Sequence, residues 1–119
     1  MPATILLVDD DVEQLSVLGG MLSNYPCNLE TAMTGGRALE MLSREVPALV
    51  ITDMVMPDVS GSDIIRAIRA DKRLQETKII IITSLMKYVS DEDRSMADAV
   101  ALKPVKKAEL EQLVRSLLA

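Results

Sequence analysis

The sequence predicts an α/β fold, a three-layer α/β/α sandwich built on a five-stranded parallel sheet. Two patterns lead there. Short, wholly apolar runs recur at residues 5–8, 48–51 and 79–82. A strand covered by helices on both faces reads as such a run, not as an apolar–polar alternation. Between the runs lie segments with apolar residues at helical spacing, joined by short connections with no repeat or low-complexity stretch. Strands alternating with helices in this way form a parallel sheet between helical layers, and 2-1-3-4-5 is one common strand order for such open sheets.

The elements follow in order. After the first run, Leu15, Leu18 and Leu22 recur at helical spacing, and Asn24-Tyr25-Pro26 ends that helix. Residues 28–32 carry a weaker strand signal. Thr34-Gly35-Gly36 turns into a second helix with Ala38, Leu39, Met41 and Leu42. It closes before Pro47, because the residue preceding a proline is pushed away from helical geometry. The run at 48–51 leads straight into Thr52 and Asp53, and a loop with Pro57 and Gly61 follows. Ile64, Ile65 and Ile68 mark a third helix, and the β-branched run at 79–82 is the clearest strand in the chain. Ser90 with Asp93 three residues on has the capping-box pattern of a helix start, although the helix behind it is polar. Residues 100–102 form a short last strand before Lys103-Pro104. Leu110, Leu113, Val114 and Leu117 complete an amphipathic final helix.

Composition narrows the function classes. The 119 residues suit one domain, expected to span 1–119, and 49% hydrophobic with 26% charged residues is a globular balance. There is no Trp or Phe, so the core is expected from Ile, Leu, Val, Met and Ala, with the eight Met residues as filler. A net charge of -5 argues against nucleic-acid binding by this domain, which needs a basic face. Cys27 is the lone cysteine and His is absent, which excludes an internal disulfide and leaves zinc short of ligands. A reduced, cytoplasmic protein is expected. No stretch approaches the roughly 18 apolar residues of a membrane span, and the first run is too short for a signal segment.

In open α/β sheets, ligands sit at the carboxyl ends of the strands. Asp9 and Asp10 end the first strand, Asp53 the third and Thr83 the fourth, while Lys103 follows the fifth. Singly, each is an ordinary turn or cap residue. Together they set three carboxylates, a hydroxyl and an amine on one edge. Carboxylates about 4 Å apart repel by up to ~4 kcal/mol at an effective dielectric of about 20, so a proton or a cation must enter. Mg²⁺ suits such a site, since it takes one or two carboxylates and keeps waters or phosphate oxygens as its other ligands. A carboxylate nucleophile, Mg²⁺, a hydroxyl and an ammonium are the parts of phosphoryl transfer.

These residues carry a family resemblance. Residues 5–11 (ILLVDDD), 53–61 (DMVMPDVSG), 82–84 (ITS) and Lys103-Pro104 resemble, in order and placement, the response-regulator receiver domains of two-component signalling, whose fold is flavodoxin-like. The resemblance implies that Asp53 accepts a phosphoryl group from a histidine kinase or phosphotransfer protein. It implies that Asp10 is a direct Mg²⁺ ligand, that Asp9 acts largely through water, and that Val55 gives its backbone carbonyl. Lys103 would contact the phosphoryl group and Thr83 would hydrogen-bond to it and report its arrival. Pro104 would follow a cis peptide bond. Such a domain is a regulatory module that promotes its own Mg²⁺-dependent phosphorylation and dephosphorylation. It switches contacts with a downstream protein, and it leaves room for a phosphorylation-dependent homodimer.

Three features depart from the family pattern. Val100 stands where an aromatic residue is common, Val105 stands where Phe commonly follows Lys-Pro, and the usual Gly-Ala turn before the last strand is missing. They keep open a receiver-fold interaction module that is not regulated by phosphorylation. A haloacid-dehalogenase-like phosphotransferase is disfavoured, since such enzymes need a second acid where Val55 stands and a cap domain for which no chain remains. Val55 and Leu85, two positions beyond Asp53 and Thr83, are apolar, so slow autodephosphorylation is expected.

Overall fold

The computed structural model describes residues 2–119. Five parallel strands, β1 (Ala3–Val8), β2 (Cys27–Ala32), β3 (Leu49–Thr52), β4 (Lys78–Thr83) and β5 (Ala99–Leu102), lie in the order β2-β1-β3-β4-β5. The helices are α1 (Val12–Met21), α2 (Gly35–Arg44), α3 (Gly61–Ala70), α4 (Asp91–Met96) and α5 (Lys107–Leu118), with short 3-10 turns at Lys72–Leu74 and Met86–Tyr88. Order, direction and alternation are those the sequence predicts.

The apolar runs divide their side chains between two cores, because successive strand residues point to opposite faces. Leu6, Val8, Val50, Ile79 and Ile81 pack with Ala38 and Leu42 of α2 and Ile64, Ile65 and Ile68 of α3. Ile5, Leu7, Leu49, Ile51, Ile80 and Ile82 pack with Leu15 and Leu18 of α1 and Leu110 and Val114 of α5. Most positions of β1, β3 and β4 therefore face one core or the other, and this is why each of the three central strands carries an apolar run. The sheet's two edges differ. β2 and β5 are each paired on one side only, and half-buried or exposed positions interrupt both.

Local signals fix where helices begin. Asp11 accepts from the Glu13 N–H and caps α1, while Thr34 accepts from the Arg37 N–H and caps α2. Ser60 with Asp63 and Ser90 with Asp93 form reciprocal capping boxes at α3 and α4. Each cap follows a strand and its loop, so the caps also hold the loops at the carboxyl edge of the sheet.

Candidate functional site

The register of the sheet gathers the polar residues at that edge. Val8 of β1 is level with Thr52 of β3, so the next residues, Asp9 and Asp53, leave the sheet side by side. The Asp53 N–H donates to the Val8 carbonyl at 3.0 Å and the Asp9 N–H to the Ala32 carbonyl at 3.2 Å, each extending its ladder by one rung. On the other side, Thr83 of β4 is level with Leu102 of β5. There the Lys103 N–H donates to the Thr83 carbonyl at 2.8 Å. The Lys103–Pro104 bond is cis, as the resemblance implies.

Side chains then converge from separate strands. Asp9, Asp10 and Asp53 each offer a carboxylate oxygen within 4.8 Å of the others. The Lys103 Nζ donates to Asp9 Oδ2 at 3.1 Å and to Asp53 Oδ2 at 3.2 Å. Asp9 is 2% exposed, Asp53 is half-buried and Asp10 faces solvent. The other oxygen of Asp53 accepts from the Met54 N–H at 2.8 Å, and Asp9 Oδ1 accepts from the Asp11 N–H at 2.9 Å. Thr83 is fully buried, and its hydroxyl donates to the Leu85 carbonyl at 3.3 Å. Val55 lies on the loop after β3 with its side chain exposed. All six residues singled out from the sequence thus lie on, or in the loops just beyond, one edge of the sheet, and four of them form one side-chain cluster.

The charge balance sets what the cluster can hold. Burial pushes the Asp9 carboxyl above the usual range, against the Asp11 N–H and the Lys103 ammonium, which favour its ionised form. Burial would also favour the neutral amine of Lys103. The Asp9 and Asp53 carboxylates outweigh that and hold the ammonium above its usual range. Three carboxyl groups face one ammonium, so a fully ionised cluster would carry an excess of two negative charges. A hard divalent cation fits this donor set. It is all oxygen, partly open to water, and anionic enough to offset the cost of stripping part of the ion's hydration.

Comparison with known proteins now decides the family. The family model for the response regulator receiver domain matches residues 5–115. The chain belongs to the response-regulator receiver family. This receiver is 32% identical over 122 residues to the response regulator Rre1 of Synechocystis sp., covering 99% of the chain and 52% of that protein. It is also 32% identical to a 14.6 kDa protein of Leptolyngbya boryana, of which it spans 86%. The chain therefore spans about half of one curated relative and most of another. Among solved structures, it resembles the response regulator TrrA of Thermotoga maritima, solved in complex with Mg²⁺ and BeF. The TM-score is 0.88 at 32% identity, over 98% of this chain and 99% of that one. A receiver domain from Methylobacillus flagellatus superposes at a TM-score of 0.90 over 98% of this chain and 99% of that one, and its 22% identity speaks to fold alone. Among the described residues, no helix is long and apolar enough to cross a membrane.

One residue of the site region went unassigned in the sequence. Asp58, inside the 53–61 motif, sends its carboxylate to the Gly35 and Gly36 amides at the start of α2, at 3.1 and 2.9 Å. The available signal was the Thr34-Gly35-Gly36 start of a helix with no acid of its own in the first turn. Nothing in the spacing connects that helix to a residue more than twenty positions away.

Proposed function

We propose that residues 1–119 form one phospho-accepting receiver unit in which Asp53 is the phosphorylation site. Asp9, Asp10, Asp53 and the Val55 carbonyl would hold Mg²⁺, while Thr83 and Lys103 attend the phosphoryl group. The observation that carries this reading is the Lys103 ammonium between Asp9 and Asp53, at 3.1 and 3.2 Å, beside a third carboxylate. Held there, the ammonium can pass from two carboxylates to an oxygen of an arriving phosphoryl group without a large movement. The Met54 N–H fixes Asp53 Oδ1 and leaves Oδ2, the oxygen facing Lys103, as the nucleophile.

In the transfer, the Asp53 oxygen forms a bond to phosphorus while the bond from phosphorus to the donor's imidazole nitrogen breaks. The imidazole keeps the electron pair and takes up a proton from water. Bound Mg²⁺ supplies neutralisation of the charge on the transferring oxygens. Thr83 reports the event by giving up the Leu85 carbonyl and donating to a phosphoryl oxygen, which frees the start of the Met86–Tyr88 turn. The donor is a histidine kinase or phosphotransfer protein, and the setting is cytoplasmic. The output is a changed contact with a downstream protein or a second phosphorylated copy. The chain acts as a regulatory domain and binds no nucleic acid itself.

Incubation with acetyl phosphate and Mg²⁺, read by intact mass, tests the assignment. One phosphoryl group is expected on the wild type and none on Asp53→Asn, with binding of beryllofluoride following the same pattern. A wild type that neither reacts nor binds beryllofluoride would support a receiver-fold interaction module independent of phosphorylation. Val100, half-buried beside the core where an aromatic switch residue is common, is the feature that keeps that second reading in view.

A further inference from the structure

We propose that Asp58 is a positioning residue for the Mg²⁺-dependent step, clamping the loop after β3 onto the start of α2 and so fixing the backbone that carries the Val55 carbonyl. The proposal rests on the receiver reading, in which that carbonyl is a metal ligand.

Hydrogen bonds secure the loop at both ends. Its first residue is held by the Met54 N–H to Asp53 Oδ1 at 2.8 Å, and its end by the Gly61 N–H to the Met54 carbonyl at 2.9 Å. Between these anchors, Met56 is buried in the core, while Val55, Pro57 and Asp58 face solvent. Among the described residues, only the Asp58 carboxylate ties residues 55–59 to another element by hydrogen bonds. It accepts from Gly35 N–H at 3.1 Å and from Gly36 N–H at 2.9 Å.

The receiving surface on α2 matches a carboxylate. The first amides of a helix have no partner within it, and Thr34 satisfies only that of Arg37. Asp58 takes the two before it, and it brings a negative charge to a helix start that has no acid in its own first turn. The Gly36 amide foremost, then that of Val59, holds the Asp58 carboxyl below the usual range. Gly35 lets the two elements meet. A Cβ at that position would sit 2.5 Å from both the Cβ and the carbonyl oxygen of Val59. The contact spans more than twenty residues and joins the loop that begins at Asp53 to α2.

A cap and a clamp make different predictions. Removing a residue that orients a metal ligand commonly weakens metal binding about 10- to 100-fold, whereas removing a helix cap lowers stability alone. The experiment compares the wild type with Asp58→Ala, Asp58→Asn and Thr34→Ala. It measures Mg²⁺ affinity by calorimetry, the rate of phosphorylation by acetyl phosphate, and thermal stability. Asp58→Ala is expected to weaken Mg²⁺ binding by about tenfold or more and to slow phosphorylation at fixed Mg²⁺, with saturating Mg²⁺ restoring much of the rate. Asp58→Asn, which keeps one accepting oxygen, is expected to fall between. Thr34→Ala, which removes a cap of the same helix without touching the loop, is expected to melt lower yet bind Mg²⁺ as the wild type does. Wild-type Mg²⁺ affinity in Asp58→Ala overturns the proposal, as does a loss shared by Thr34→Ala in proportion to lost stability. A wild type that binds no Mg²⁺ overturns the receiver reading itself, and is thereby distinguishable.

Discussion

Val55 and Leu85, two positions beyond Asp53 and Thr83 in the loops that follow β3 and β4, are 54% and 47% exposed. Hydrolysis of an aspartyl phosphate needs a water aligned with the phosphorus, and a nearby polar side chain can hold it by hydrogen bonding. Neither Val nor Leu can. A long-lived phosphoryl group is the expected consequence. Val55→Asn should hydrolyse several-fold faster at saturating Mg²⁺, followed as loss of the phosphorylated mass after the donor is removed. Equal decay of the two proteins would refute the idea. At this scale most of the site was legible from the sequence, since Asp9, Asp10, Asp53, Thr83 and Lys103 each end or follow an apolar run. Their burial was not. That Asp9 is buried while Asp10 is exposed depends on which face each presents beyond the strand. So does the pairing of Lys103 with Asp9 and Asp53, since these partners are 94 and 50 residues away.

Elements, more than single residues, set how far the loop after β3 stands from the sheet. Gly61 opens α3 directly beneath that loop. A Cβ there would overlap the Asp53 carbonyl oxygen and lie 2.8 Å from the Met54 Cα. These are backbone atoms at a strand end, with little freedom to give way. Gly61→Ala is therefore expected to destabilise the fold by about 1–3 kcal/mol, as overpacking does, and to slow phosphorylation of Asp53 by displacing it. Urea denaturation and acetyl phosphate kinetics on the same sample check both effects; an unchanged urea midpoint would count against this packing. Legibility at this scale follows burial. β1, β3 and β4 are covered on both faces and read clearly, whereas β2 and β5 at the edges tolerate polar residues and read weakly. α4 was recognisable by its Ser90–Asp93 box but not by its apolar pattern, because its six residues bury little. The 3-10 turns at Lys72–Leu74 and Met86–Tyr88 are too short to leave a periodic signature.

For the whole molecule, the acidic cluster sets function against stability. Without a cation, the fold holds three carboxylates against one ammonium at its carboxyl edge, and the unfolded chain has no such constraint. Asp10 has no ion-pair partner among the described residues, so its charge is the one least compensated. Asp10→Asn should therefore stabilise the metal-free protein, by up to about 1 kcal/mol given the screening of an exposed charge. Mg²⁺ should reverse the order. A ligand that binds only the folded state adds RT ln(1 + [L]/Kd), about 2.7 kcal/mol at a hundred times Kd. The wild type should gain most of this and Asp10→Asn much less. Chemical denaturation of both proteins, with chelator and with Mg²⁺, reads the crossing directly. If Asp10→Asn were the less stable protein in both conditions, Asp10 would be an ordinary structural residue. If Mg²⁺ stabilised both equally, the cation would be bound without it. Only a crossing of the two stabilities is what an acidic cluster selected for metal binding, at a cost to the empty fold, should produce.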